Sequence, residues 1–209
     1  MSEGMEYYRD PVQESPQHME RDVLQYETFL GIDAQNLHGE RVLNIGSGLT
    51  GKFEKLLAAK GVDVLTASPY FAARGVGGET MRSEYNEGTF HSLKRKFINT
   101  DEKWPDAIAA WAEDLPLKDE SVDLLLALYS VPLYTDKEDY NKLFSELTRV
   151  LKEGGTAKLY PISQEMLEKI SPILEALPVR FTTESTLEES DMVFPNEVPV
   201  RLEFTRVMR

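Results

Sequence analysis

Val42-Leu43-Asn44-Ile45-Gly46-Ser47-Gly48 is the stretch on which the fold turns. Val42, Leu43 and Ile45 give a short apolar strand signal that runs directly into two glycines. Phe53, Leu56 and Leu57 then recur at helical spacing until Gly61, and Val62, Val64 and Leu65 supply a second strand. Residues 41–67 therefore read as a βαβ unit, with the right-handed crossover that such units adopt. Gly46 and Gly48 sit where a ligand can approach backbone amides at the start of a helix. A Gly-x-Gly at that place is also what tight strand-to-helix packing requires, so the turn alone does not name a ligand.

Working outward, Ser15-Pro16 supplies an N-cap residue and a proline suited to the first helical position. Met19, Val23, Tyr26 and Leu30 follow at helical spacing up to Gly31, which predicts one amphipathic helix. Downstream, Ala107 to Ala112 reads as a third strand and Val122 to Tyr129 as a fourth, nearly all apolar as a strand buried on both faces must be. Tyr140, Leu143, Phe144, Leu147, Val150 and Leu151 predict a helix capped by Thr135 or Asp136 and stopped by Gly154-Gly155. Ala157 to Ile162 gives a fifth strand, and Leu167, Ile170, Leu174 and Leu177 a helix strained or divided at Pro172. Val179 to Thr183 and the alternating Val200, Leu202 and Phe204, with Val207 after a break, complete the set as two final strands. Strands alternating with helices over most of the length predict an α/β three-layer sandwich.

Composition sets the outer limits. At roughly 150 residues per ordinary domain, 209 residues fit a single domain, with residues 1–37 as a helical extension and 69–106 as an insertion that covers the acceptor as a lid or the sheet edge as an extra helix. Hydrophobic residues at 41% and charged residues at 28% are those of a chain with a real core. The 36 acidic against 23 basic side chains leave a net charge of −13, which disfavours nucleic acid as a partner. Leu124 to Tyr129 is the longest wholly apolar run, far below the roughly 18 to 20 residues that span a bilayer. With no secretory pattern at the start, the expected location is cytoplasmic. With no cysteine, and with His18, His38 and His91 lacking ligand spacing, no metal site is expected. Ile45 and Leu49 flank Ser47 where a serine-hydrolase elbow would have glycines.

Two further segments change the weight of the glycine turn. One is Glu113-Asp114-Leu115-Pro116-Leu117-Lys118-Asp119-Glu120-Ser121-Val122-Asp123, the other Leu147-Thr148-Arg149-Val150-Leu151-Lys152-Glu153-Gly154-Gly155. With these in order, the chain resembles the class I S-adenosylmethionine-dependent methyltransferases over about residues 38–162. The resemblance implies a Rossmann-like, mostly parallel seven-stranded sheet whose last strand is antiparallel and inserted between the fifth and sixth. It also implies S-adenosylmethionine at the carboxyl ends of the first strands. Carried over residue by residue, the cofactor-binding positions are Asn44, Gly46, Ser47, Gly48, Ser68, Pro69, Trp111, Ala112, Glu113, Asp114 and Tyr129.

Several of these depart from the family pattern. The acid usual before the first glycine is Asn44, the third glycine position holds Thr50 beside Gly51, and the acids expected after the second and third strands are Ser68 and Trp111. Charge-assisted hydrogen bonds to ribose are worth roughly 1.5 to 3 kcal/mol, so the loss at Ser68 weakens binding by up to about a hundredfold. Glu113 and Asp114 remain to meet the adenine amino group.

Methyl transfer from a sulfonium depends mainly on alignment, worth on the order of 7 to 11 kcal/mol, so no signature catalytic residue is required. Tyr129, Tyr134 and His91 are the catalytic candidates for orienting or deprotonating an acceptor, against the plain alternatives of packed aromatics and a solvated imidazole. Ser130-x-Pro132-x-Tyr134 is faintly similar to the acceptor loop of amino-methyltransferases, without the second proline. Lys94-Arg95-Lys96 with Arg82 is a candidate anion site, or a solvated helix face. Three readings follow: methyl transfer to a small or medium-sized acceptor, a non-catalytic methyltransferase-like binding or assembly module, and a different nucleoside ligand in the same crevice.

Overall fold

In a computed structural model of the chain, the described residues are 22–46, 51–69, 106–185, 194 and 197–208. Helix α1 (Val23–Leu30) leads into β1 (Arg41–Ile45), α2 (Lys52–Ala59) and β2 (Asp63–Ala67). After β3 (Ala107–Ile108) come β4 (Val122–Leu128), α3 (Tyr140–Val150), β5 (Leu151–Ile162), α4 (Gln164–Ala176), β6 (Val179–Ser185) and β7 (Val200–Arg206). The seven strands form one sheet in the order β3-β2-β1-β4-β5-β7-β6. The pairs from β3 through β5 are parallel, and β7 runs antiparallel between β5 and β6. This is the three-layer α/β sandwich that the alternation of elements predicts, with the Rossmann-like seven-stranded sheet and inserted antiparallel last strand that the family resemblance implies.

Period-two alternation on β1 sorts the core into two layers. Leu43 and Ile45 face a cluster with Leu125, Leu143, Phe144 and Leu147, on the side of α3 and α4. Val42 faces the other cluster with Val64, Leu126, Tyr26, Phe53 and Leu57, on the side of α1 and α2. Asn44 shares the parity of Val42 and is therefore carried into the α1/α2 layer, fully buried.

Several boundaries differ from the sequence reading, each for a local reason. Asp22, with extended backbone, caps α1 in a reciprocal box with Gln25, so a single helix from Ser15 does not run through; Ser15, Pro16 and Met19 lie outside the described residues. The third strand is only two residues long, because its partner β2 ends at Ala67. Ala110 and Ala112 instead pack into the core beyond the sheet. Neither Thr135 nor Asp136 caps α3; a 3₁₀ turn at Lys137–Asp139 precedes it, and Asp139 holds the cap position.

Gly154-Gly155 does not stop α3, which ends at Val150 and passes directly into β5. Arg206 on β7 stops it instead, donating from Nη1 to the carbonyls of Thr148, Arg149 and Leu151 at 3.2, 3.1 and 2.8 Å. The helix-end carbonyls that lack intrahelical partners are thereby satisfied across the fold. The two glycines belong to a kink in β5, where register slips between Val122–Leu151 and Leu124–Thr156. A Cβ at Gly155 would lie 2.9 Å from the Lys152 carbonyl and 3.0 Å from that of Val122. Pro172 neither divides nor ends α4; Pro172 and Glu168 are both exposed, so the carbonyl that loses its donor faces water. Leu177 falls just outside that helix as its C-cap, and Val207 just outside β7.

Candidate functional site

The carboxyl ends of β1, β2, β3 and β4 deliver Gly46, Ser68, the segment 109–114 and the segment 129–135 to one edge of the sheet. Open α/β sheets bind ligands at this edge, where strand order reverses between β1 and β4. Ser47, Gly48 and His91 lie outside the described residues, as do Arg82 and Lys94 to Lys96.

Gly46 has φ +77°, and its amide donates to the Ala67 carbonyl at 3.0 Å. That amide is thus committed to the end of β2. A Cβ at Gly46 would sit 2.4 Å from Cβ of Ser130, whose hydroxyl donates to the Ile45 carbonyl at 2.6 Å. The bareness of Gly46 therefore serves the close approach of the β1 and β4 ends, whatever else it admits. Tyr129, just before Ser130, has φ +51° and packs edge-on against Phe29 and Tyr160 at 5.8 and 5.6 Å. It is half-buried in this aromatic cluster, whereas Tyr134 is 38% exposed.

Asn44 lies one layer beneath the turn. Its Nδ2 donates to the Tyr26 hydroxyl at 2.7 Å and to Oε1 of Glu54 at 2.5 Å. Glu54 is itself fully buried in the first turn of α2. Oδ1 of Asn44 and the hydroxyl of Thr66, its register partner on β2, are buried without hydrogen-bond partners. Tyr26, Glu54 and Thr66 were not legible as site residues in the sequence. The one available signal was a carboxylate between Phe53 and Leu57 on the buried side of a short helix.

Ser68 is buried at the end of β2, its amide donating to the Ile108 carbonyl at 3.0 Å, and Pro69 follows half-buried. Trp111 is 39% exposed and belongs to neither core cluster. Ala112 is buried, Glu113 half-buried and Asp114 exposed. The acidic loop that carries them is pinned from α3. Glu146 accepts from the Leu115 amide at 2.8 Å and from Arg149 at both oxygens. Arg149 also donates to the Leu115 and Leu117 carbonyls at 3.0 and 2.8 Å and pairs with Asp119 at 2.6 Å.

Burial by itself pushes the Glu146 carboxyl up, but Arg149 and the Leu115 amide outweigh it and hold the group below its ordinary range. The Arg149 guanidinium is pushed up, by its Glu146 bond first. At the opposite edge of the sheet, Asp123 is likewise held low: burial raises it, and the Lys152 ammonium and Arg41 amide overcome this. The two later segments of the family resemblance are thus coupled, since Arg149 of one holds the backbone of the other. The Asp114 amide donates to the Trp111 carbonyl at 3.1 Å, while the carboxylates of Glu113 and Asp114 form no hydrogen bond or ion pair with any described residue.

A separate hollow of about 530 Å³ opens at the amino ends of the strands, lined by Asp33, Glu40, Asp123, Glu153 and Glu203 with Lys158. It is remote from the glycine turn. Among the described residues no cluster has metal-holding geometry, and no helix is long and apolar enough to cross a membrane.

The sequence matches the methyltransferase domain family over residues 43–159, which spans β1 to β5 with the glycine turn, the acidic loop and the Arg149 segment. The chain belongs to this family. A ubiquinone/menaquinone biosynthesis C-methyltransferase from Vibrio vulnificus is 28% identical over 141 residues, 66% of this chain and 47% of the relative. The chain thus spans about half the length of the curated relatives it matches. Among solved structures, a protein from Pyrococcus horikoshii is similar with a TM-score of 0.60 at 16% identity, covering 96% of this chain and 98% of that one. The magnesium protoporphyrin IX methyltransferase of Synechocystis, crystallised with S-adenosylmethionine, is similar with a TM-score of 0.51 at 18% identity over 82% of this chain and 72% of its own. At these identities the likeness to solved structures is one of fold.

The family's cofactor is S-adenosylmethionine, and the described residues fit it in kind. An unengaged acceptor lies at Asn44, two residues before Gly46, and among the described residues the Glu113 and Asp114 carboxylates are unengaged on the loop after β3.

Proposed function

We propose that the chain transfers a methyl group from S-adenosylmethionine to a small or medium-sized acceptor bound over the carboxyl ends of β1 and β4. The observation that carries this reading is the availability of Glu113 and Asp114, held out on a loop that Glu146 and Arg149 fix, in a chain of the methyltransferase family. The cofactor supplies an electrophilic methyl on sulfur, already activated by the positive charge. The chain's residues bind and align. Glu113 and Asp114 accept from the adenine amino group, Ser68 and Pro69 shape the ribose side, and the Gly46 turn with Ser47 and Gly48 lets the amino-acid end approach. Tyr134, exposed after β4, orients or deprotonates the acceptor; Tyr129 supports the loop through its aromatic contacts, and His91 is a further base candidate in the insertion. The name of the Vibrio relatives favours carbon as the methylated atom and an electron-rich ring as the acceptor.

Calorimetry with S-adenosylhomocysteine tests cofactor recognition directly, and mass spectrometry of candidate phenolic and quinol acceptors incubated with S-adenosylmethionine tests transfer. Saturable binding and a product one methyl heavier are expected. No heat and no thermal shift at millimolar ligand would end the enzymatic reading.

A second reading, a non-catalytic module, draws on Asn44, Ser68 and Trp111 standing where the family has acids, and on the Gly46 amide being already bonded. Formation of S-adenosylhomocysteine in the presence of any acceptor would remove it.

A further inference from the structure

The acid missing from the end of β1 leaves a question about charge that α2 answers. Asn44 faces the α1/α2 layer, and its carboxamide is used on one side only. Nδ2 gives both of its hydrogens away, to Glu54 and Tyr26, while Oδ1 is buried with no partner. An amide whose N–H groups donate to a carboxylate is polarised, and its oxygen becomes a better acceptor, since chained hydrogen bonds strengthen one another in a low-dielectric interior. A buried acceptor left without a donor keeps its full desolvation penalty, so such an atom is expected to have a donor in the working state of the protein. Two residues on is Gly46, at the turn where the family reading seats the amino-acid end of the cofactor.

We propose that Glu54 is a positioning residue for cofactor binding. From the first turn of α2 its carboxylate acts through the Asn44 carboxamide, so that Oδ1 receives the ammonium of the cofactor's amino-acid end. The negative charge is thereby carried on α2 and presented through a neutral side chain on β1. Glu54 stands at the third position of its helix, where the macrodipole also favours an anion. The Thr66 hydroxyl, buried beside Asn44 in register and likewise without a partner, is the second group positioned to take up a hydrogen bond there. This inference rests on the methyltransferase reading above.

The test compares ligands as well as variants. S-adenosylhomocysteine and its decarboxylated analogue carry the ammonium; 5′-methylthioadenosine shares the adenosine thioether and lacks it. Glu54→Gln preserves the shape and still accepts from Asn44, so the fold is expected to survive, monitored by the melting temperature. It should weaken binding of both ammonium-bearing ligands by roughly tenfold and leave 5′-methylthioadenosine unchanged. Asn44→Asp combined with Glu54→Gln returns the charge to β1 and should restore affinity for the ammonium-bearing pair. Equal weakening of all three ligands, or no weakening of any, overturns the role of Glu54 while leaving the cofactor site standing. If the wild-type chain binds none of the three, the methyltransferase reading fails, and this inference falls with it.

Discussion

Replacing Gly46 by alanine has a cost whose source is the fold around the glycine turn rather than the ligand. Gly46 is at φ +77°, where an L side chain costs about 1 to 2 kcal/mol. The added methyl would also lie 2.4 Å from Cβ of Ser130, and overpacking of that kind costs about 1 to 3 kcal/mol. The expected loss is about 2 to 5 kcal/mol, a fall in Tm of roughly 4 to 20 °C for a chain of this size. In a Ser130→Gly background the steric part disappears and only the backbone part remains, so the same substitution should cost about 1 to 2 kcal/mol. Ser130→Gly itself removes the hydroxyl bond to the Ile45 carbonyl, which the single variant measures. Urea denaturation of the four proteins, with m-values compared, reads the coupling of about 1 to 3 kcal/mol between the two positions. A cost below about 1 kcal/mol, or the same cost in both backgrounds, would refute the argument. If it stands, weaker cofactor binding by Gly46 variants does not by itself demonstrate a ligand contact, because the β1 and β4 ends will have moved.

Arg149→Ala removes the fork that joins Glu146, Asp119 and the carbonyls of Leu115 and Leu117; a loss of about 2 to 3 kcal/mol and weaker S-adenosylhomocysteine binding are expected, read by urea midpoint and calorimetry. Arg149→Lys should recover less than half of this, since one ammonium cannot match a planar fork; full recovery would show that charge alone suffices. Ser163→Ala deletes the cap that accepts from the Met166 amide at 3.1 Å and should cost about 1 kcal/mol, with the helical signal of α4 lost earlier on heating. Because Asp123 and Glu146 are held below their ordinary values of 3.8 and 4.5, their contribution is fully present above those values and is lost as pH falls through the lower folded ones. Stability measured from pH 6 downward should therefore decline in the acid range, and Glu146→Gln should flatten part of that decline; an unchanged profile would contradict the assignment.

What the sequence determined by itself is what local pattern can encode. The mostly apolar stretches at Val42 to Ile45 and Val122 to Leu128, interrupted by Asn44 and Asp123, with the glycines that follow the first, specify buried strands and the bend between strand and helix. The three ordered segments fixed the family and hence the strand order, including the antiparallel β7. Helix ends were less legible, because they depend on groups distant in the chain: α3 stops where Arg206 reaches its carbonyls across 55 to 58 residues, and Gly154-Gly155 turn out to kink a strand against the Val122 carbonyl.

The chemistry around the first turn arises from packing between elements. Strand alternation turns Asn44 toward α1 and α2, and there it meets Tyr26, 18 residues away, and Glu54, 10 residues away. No periodicity marks such a meeting, since a buried hydrogen bond is a property of two side chains brought together by packing and of the water excluded from around them. The same holds for Ser130 against Gly46 and for Arg149 under the acidic loop. Their residue types are visible in the chain, and their purpose arises from proximity that only the folded sheet creates.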